Sequence, residues 1–299
     1  MGFVVAPVAY AARSAALHDV RRRVFVDEQG VPPGLEQDAW DAGGRHVLAC
    51  DAAGMPIGAG RLLADGRIGR MAVLPGWRGR GVGEAMLQAL VEMAIAAGLR
   101  QVHLHAQLPA CGFYIRQGFL PAGEVFEEAG LLHQQMSRAL GTATAITGPQ
   151  AAIAAATAIV HRARRRLWIH SRQLEPGLLD AAPVQAALRR FATRRQPRQL
   201  RLIVDDAAAV QAAGPPLLVL MQRLPSAVQL REVADPADRA LGSACLVNDR
   251  GDYYVRRTGD LRQGEAAIAL PSRAQPFSRQ LQALWERSRD GAGLRALGL

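Results

Sequence analysis

Met71-Ala-Val-Leu-Pro-Gly-Trp-Arg-Gly-Arg-Gly-Val-Gly-Glu-Ala-Met-Leu87 is the stretch whose reading decides the fold. A strand ends at Val73, a Pro-Gly turn follows, and an Arg/Gly-rich loop runs directly into a helix. In Arg78-Gly79-Arg80-Gly81-Val82-Gly83 the alternate positions carry no side chain, so several backbone N–H groups can converge on one point. The positive end of the following helix aims at the same point, and the loop reads as an anion cradle. Glycines also serve ordinary turns, and the loop by itself leaves both readings open.

Around this loop, strands and helices follow one another. The pattern predicts a strand at Phe3–Val8, a helix over about Ala11–Val26, and a Gly/Pro-rich loop containing Gly30–Gly34. Strands are predicted at Arg45–Asp51, Ile57–Ala64 and Gly66–Val73 by their alternation. Met86, Leu87, Leu90, Val91 and Ala94 recur at helical spacing and predict a helix over Gly83–Ala97. Then come a strand (Gln101–Gln107), a short helix (Pro109–Gln117) and two closing strands (Gly123–Phe126, His133–Ala139). The expectation is a mixed α/β layer with an antiparallel front half.

Gly141-Thr-Ala-Thr-Ala-Ile-Thr-Gly-Pro149 is small, uncharged and closed by Gly-Pro, which predicts a linker over 141–149 between domains at 1–140 and 150–299. Beyond it, helices near Ala151–Arg164, Pro183–Thr193 and Pro216–Arg223 alternate with apolar strands at Leu167–Ser171, Gln199–Asp205 and Ala227–Val233. Further strands are read at Ala244–Val247, Tyr253–Arg256 and Ala266–Leu270, with a last helix near Ser278–Arg289. Strands alternating with helices predict a second α/β domain with a partly parallel sheet.

Length and composition agree. The chain has 299 residues, two domains at the usual ~150 each. Its 49% apolar and 21% charged residues exclude a disordered chain. No apolar run reaches the ~18 residues of a membrane span. The N-terminus has no basic region ahead of its apolar stretch, so no secretory signal is expected. Three scattered cysteines (Cys50, Cys111, Cys245) make neither a disulfide framework nor a metal site, and a reducing cytoplasm is the expected location. All 36 basic residues are arginine. Without lysine there is no Schiff base, no amine nucleophile and no phosphate-loop lysine. Residues 1–140 balance 13 arginines against 13 acids; residues 141–299 carry 23 against 13, so the whole excess of +10 lies in the second half. A change of charge character at the midpoint points to two modules.

The Arg-x-x-Gly-x-Gly arrangement after a strand ending Met-Ala-Val resembles the coenzyme-A-binding signature of the GNAT superfamily of N-acetyltransferases. Gln107-Leu-Pro-Ala110-Cys-Gly-Phe113-Tyr114-Ile-Arg-Gln-Gly118-Phe119 resembles its second signature, with Gln107 in place of Asn. Val24-Phe-Val-Asp-Glu-Gln-Gly-Val-Pro32 and Gly123-Glu-Val-Phe-Glu-Glu-Ala-Gly-Leu-Leu-His133 resemble the ElaA/YjcF-like branch. The resemblance covers roughly residues 1–140. It implies the GNAT fold, a mixed, mostly antiparallel sheet that splays at the strand of Met71 and Val73, with flanking helices and the acyl-pantetheine in the gap.

The resemblance also implies roles. Backbone N–H groups over Gly79, Arg80, Gly81, Val82, Gly83 and Glu84 hold the pyrophosphate of acetyl-CoA, the co-substrate, with Arg78 and Arg80 adding charge. The backbone of Met71 and Val73 pairs with the pantetheine, and the Val73 N–H polarises the thioester carbonyl. Gln107 stands at the second signature's Asn position. Tyr114 protonates the departing thiolate; its other reading is a core aromatic beside Phe113. Glu84 belongs to the first helical turn, where a carboxylate complements the dipole.

The acceptor amine must lose a proton to attack. Glu28, Glu36, Asp38, Asp41, Glu124, Glu127, Glu128 and His133 are the candidate bases, and the resemblance favours Glu28, Glu124, Glu127 and His133 on the acceptor side. His103 and His105 alternate on one strand and share a face; with no third ligand in sight they read as sheet-face packing, not metal. Cys111 reads as packing, because the family mechanism is direct transfer without an acyl-enzyme.

In the second half, Leu167-Trp-Ile-His-Ser171, Leu200-Arg-Leu-Ile-Val-Asp-Asp206 and Val228-Gln-Leu-Arg231 resemble half of a phospholipase-D-like domain. That chemistry needs His-x-Lys, which a chain without lysine cannot supply, so the resemblance implies a catalytically dead copy. Leu246–Val255 reads as a hairpin around Asp249-Arg-Gly-Asp252. Arg162, Arg164, Arg165, Arg166, Arg189, Arg190, Arg194 and Arg195 could form a face for an anionic partner, or simply a solvated basic face. Two functional classes remain. One is an N-acetyltransferase acting on a small-molecule or peptide amine, with an appended binding domain. The other is a non-catalytic acyl-CoA sensor whose basic domain docks on an anionic partner. A third, acyl-homoserine-lactone-synthase-like, rests only on Arg23–Gln29.

Overall fold

Alternating burial starts the chain as strand β1 (Phe3–Val8), followed by helix α1 (Tyr10–Arg21). The helix expected through Val26 instead widens into a π-helical stretch over Arg22–Glu28. Then come the one-turn α2 (Pro33–Glu36), β2 (Arg45–Asp51), β3 (Pro56–Leu62) and β4 (Ile68–Val73). The quoted loop leads into α3 (Val82–Ala96), and β5 (Gln101–Gln107), α4 (Cys111–Arg116), β6 (Leu120–Glu128) and β7 (Leu131–Ala139) follow. This computed structural model describes residues 2–214, 216–241, 244–256 and 263–290. It divides into two compact units: the chain to Cys111 with Ala122–Leu140, and Gly112–Pro121 with the chain from Gly141.

The first unit holds an antiparallel sheet in the order β1-β2-β3-β4 and a second sheet in the order β5-β7-β6. The two meet at a single parallel bridge, Arg67 to His103. Gly66, at φ +88°, makes this approach: a Cβ there would lie 2.6 Å from the Gln101 carbonyl oxygen, and its own carbonyl accepts from His103 N–H at 3.0 Å. Past the bridge β4 and β5 belong to different sheets. The register of β4 on β3 slips between Ala59 and Arg61, with Arg70 at φ +53°, a bulge that bends β4 beyond its bridge to β5. This is the splay that the resemblance implied.

Helix α3 lies close on β3 because Gly58 and Gly60 leave room. A Cβ on Gly58 would sit 2.7 Å from Met86 Sδ, and one on Gly60 would sit 2.8 Å from Met71 Sδ and 3.0 Å from Leu90 Cδ1. The apolar stripe read from the sequence (Met86, Leu87, Leu90, Val91, Ala94) is the buried face. The closing strands are longer than expected and form a hairpin through Ala129 and Gly130, both at positive φ, as a tight two-residue turn demands.

In the second unit, residues 144–147 of the expected linker form β8 (Thr144–Thr147), an edge strand of its sheet. The further elements are α5 (Pro149–Arg162), β9 (Arg166–Ser171), α6 (Ala182–Ala192), β10 (Gln199–Val204), α7 (Ala207–Ala213), α8 (Pro216–Arg223), β11 (Val228–Glu232), β12 (Ala244–Asn248), β13 (Tyr253–Arg256), β14 (Gln263–Ala267), α9 (Pro271–Arg287) and β15 (Arg289–Asp290). The strand order is β15-β11-β10-β9-β12-β13-β14-β8; β9, β10 and β11 run parallel and the other pairings are antiparallel. One face (Leu167, Ile169, Leu200, Leu202, Leu230) packs with α5, α6 and α8. The other (Trp168, Ile203, Val247, Tyr253) packs with α9. Helix α7 was not read from the sequence; the Asp206 side chain caps it by accepting from Ala209 N–H.

Candidate functional site

The loop after β4 has the geometry of an anion cradle. Gly79 and Gly81 sit at φ +72° and +86°, and no atom lies within 4 Å of where their Cβ atoms would be. Side chains here would strain the backbone and fill open space. Gly81 caps α3, whose fifteen residues put the positive end of a long helix behind the loop, and Glu84 lies in its first turn as read. Arg80 rests over the Trp77 ring, 5.3 Å from its centroid.

Beside the cradle, β4 presents an open edge. Leu74 N–H donates to Ile57 O on β3 at 3.0 Å. By the alternation of a ladder, the Val73 N–H and carbonyl therefore project from the opposite edge, away from β3. Arg78 Nε donates to that Val73 carbonyl at 2.9 Å, and its two terminal nitrogens form a fork on Glu28 at 2.8 and 2.7 Å. Arg78, expected over the pyrophosphate, thus ties the π-helical stretch to the end of β4. The fork, by its hydrogen bonds first, holds the Glu28 carboxyl below the usual glutamate range. Met71 and Val73 lie either side of Ala72, the partner of Ala59 on β3.

Across the second sheet, Gln107 pairs with His133, His105 with Gln135 and His103 with Ser137, so these side chains share a face. His133 is buried and stacks on Phe126, and its Nδ1 lies 2.9 Å from the Leu131 carbonyl. Only a protonated Nδ1 can meet a carbonyl, so in the neutral ring Nε2 carries the lone pair. His105 Nδ1 lies 2.7 Å from Glu128 Oε2, with Arg67 beside both. Burial works against the Glu128 charge, but the His105 hydrogen bond and the nearby His105, Arg67 and His133 charges outweigh it and hold this carboxyl low. Strand alternation puts Glu127 on the opposite face from Phe126 and Glu128, and it is exposed. Gln107 Nε2 donates to Gln29 Oε1 at 3.1 Å. Cys111 Sγ donates to Gln107 O, and burial pushes its thiol up, which fits packing and not nucleophilic chemistry.

Two features of the site escaped the sequence. Three arginines and three acids interlock under the 33–44 loop: Arg21 forks onto Asp41 and meets Glu36, Arg61 bridges Asp38 and Asp41, and Arg70 donates to Asp38 and to the Leu35 carbonyl. Pairing of this kind is invisible in charges scattered over fifty residues. The second is the Arg67–His105–Glu128 group, whose partners are brought together only by register. Tyr114 lies on Gly112–Pro121, the stretch grouped with the second unit. Its ring is buried and edge-on to Phe113 at 4.9 Å and Phe119 at 5.9 Å.

A family model described as "Acetyltransferase (GNAT) domain" matches residues 11–140. The uncharacterized N-acetyltransferase YjcF of Bacillus subtilis is 37% identical over 123 residues, 40% of this chain and 87% of its own. Protein ElaA of Escherichia coli is 32% identical over 130 residues, 41% of this chain and 85% of its own. The chain belongs to the GNAT acetyltransferase family. GNAT enzymes transfer an acyl group from acyl-CoA. Among solved structures, an acyl-CoA N-acyltransferase from Pseudomonas aeruginosa is 29% identical and covers 46% of this GNAT chain and 99% of its own, with a TM-score of 0.42. Escherichia coli ElaA covers the same shares at 28% identity and a TM-score of 0.42. Residues 148–297 match a domain of unknown function, DUF7931. Among the described residues no helix is long and apolar enough to cross a membrane.

Within the second unit, Arg162 does not join a free basic face. It is held by the buried carboxylate of Asp252, which also takes Asn248 Nδ2 and Ala269 N–H. Asp249 accepts the backbone N–H groups of Arg164 and Arg165, so the Asp249–Asp252 hairpin braces the end of α5.

Proposed function

We propose that this chain is a cytoplasmic N-acetyltransferase that moves an acetyl group from acetyl-CoA to the amine of a small molecule or peptide by direct attack. The open cradle at the start of α3, beside the free edge of β4, is the observation that carries the reading. Acetyl-CoA supplies the activated acyl group. Backbone N–H groups over Gly79–Glu84 hold its pyrophosphate, and Val73 N–H donates to the carbonyl oxygen as negative charge grows there.

Of the bases considered, His133 is the one we assign. Its Nδ1–H is fixed on Leu131 O, so Nε2 is the lone pair that takes the amine proton. Glu28 is committed to Arg78, and Glu127 faces the other way. Tyr114 is the proposed acid for the departing thiolate, a role carried over from the family signature. For the second unit we keep the phospholipase-D-like reading, without its catalytic motif, and a role in binding an anionic partner.

A thiol-release assay with acetyl-CoA and a panel of amines tests this reading. The chain should turn over at least one amine, and His133→Gln and Tyr114→Phe should each lower kcat by about 100-fold or more with acetyl-CoA binding kept. Unchanged turnover in Tyr114→Phe removes the acid role. If acetyl-CoA binds and no amine is acetylated, the non-catalytic sensor is the correct reading.

A further inference from the structure

The second unit has a groove at the starts of β9 and β10, along one edge of α9. Its volume is about 550 Å³, within the range of small-molecule sites. Arg166, Trp168 and Arg201 line it from the sheet; Ser278, Arg279, Gln282 and one carboxylate, Glu286, which accepts from Gln282 Nε2, line it from α9. Among the described residues most buried or half-buried arginines meet a carboxylate, as Arg21, Arg61, Arg162 and Arg256 do. Half-buried Arg201 differs, and the exposed Arg166 and Arg279 flank it. Among the described residues neither Arg166 nor Arg279 makes an ion pair or a side-chain hydrogen bond, and the one side-chain hydrogen bond of Arg201 goes to the neutral Gln282 Oε1 at 3.2 Å.

Arg201 is also fixed in place. Its guanidinium lies 4.8 Å from the Trp168 ring and 5.2 Å from that of Trp285, and its Nε is buried without a partner. Burial, then the Arg166 and Arg231 charges, push Arg201 below the usual arginine range, and Glu286 offsets only part of this. Like charges crowded around the half-buried Arg201 are eased when an anion joins them. A guanidinium held against two indoles has little side-chain entropy left to lose when it meets one.

We propose that this groove is a binding site for a phosphate ester of about nucleotide size, with the phosphoryl oxygens on Arg166, Arg201 and Arg279 and the Ser278 hydroxyl beside them, at the three-arginine end and not at Glu286. Planar guanidinium forks suit phosphoryl oxygens, and the Trp168–Ala283 wall offers an apolar surface to the organic part. The site lies at the starts of the parallel strands on the α9 face of the sheet, whereas α6, which carries Arg189 and Arg190, packs on the other face. The inference rests on the anion-binding reading of the second unit and not on acyl transfer.

The test is calorimetric titration of ADP into the full chain and into a Gly81→Glu/Gly83→Glu chain whose first-unit cradle is closed, so that binding by the second unit is read by itself. Binding should be present, and Arg166→Gln/Arg279→Gln, which changes two exposed side chains, should weaken it about tenfold or more. Arg189→Gln/Arg190→Gln should leave it unchanged. Coenzyme A affinity, measured on the same proteins, reports the first unit separately. No ADP binding, or binding lost only in the Arg189/Arg190 protein, would overturn the proposal. So would a preference for single-stranded nucleic acid that grows with its length and ignores Arg279.

Discussion

Glu28 and His133 were equal candidates for the base in the sequence, and their partners separate them. Glu28 is half-exposed and forked by Arg78; a surface pair of this kind is worth about 0–1 kcal/mol. Glu28→Gln should therefore cost little stability and lower turnover far less than His133→Gln, as steady-state kinetics on the two variants would measure. Equal loss in both would return Glu28 to the role of base. The resemblance placed Tyr114 and the glycine loop by spacing alone. It could not say that Arg78 turns back on Val73 and Glu28, because that contact is set by where the π-helical stretch ends.

Among the elements, the order of strands and helices was legible because alternation and helical spacing are local. Strand β5 and helix α8 have the bounds read from the sequence, and α3 is displaced by one residue. The register was not legible. The bulge at Arg70, the Ala129-Gly130 turn and the interlocked charges under the 33–44 loop all depend on pairings between distant residues. Two predictions belong at this scale. Gly60→Val should destabilise the first unit by ~1–3 kcal/mol in denaturant unfolding, because the new side chain meets Met71 and Leu90. Asp41→Asn should cost ~3 kcal/mol at neutral pH by leaving Arg21 and Arg61 buried and unmatched. Burial works against the Asp41 charge, but the Arg21 and Arg61 hydrogen bonds and charges outweigh it, so its folded carboxyl titrates below the ordinary 3.8. The stabilisation is then fully present above that value and fades as pH falls through the folded one. The gap between wild type and Asp41→Asn should close in acid and stay constant from pH 5 upward.

For the whole molecule, the charge partition was legible from counting: a balanced first half and an excess of +10 in the second. The grouping of Gly112–Pro121 with the second unit was not. It follows from burial of Ile115 and Leu120 with that unit's core and from Gly118 against Ile268, contacts that no local pattern announces. The second unit adds a basic groove to a GNAT chain, and the first unit carries the claim on which the rest depends: the glycine cradle ahead of α3 binds acyl-CoA. Isothermal titration of acetyl-CoA into the intact chain, beside a folded Gly81→Glu/Gly83→Glu variant, tests it most directly. The account predicts about micromolar binding that the variant loses, because two carboxylates then occupy the space meant for pyrophosphate. Equal binding by both proteins, or none by the intact chain, would contradict it.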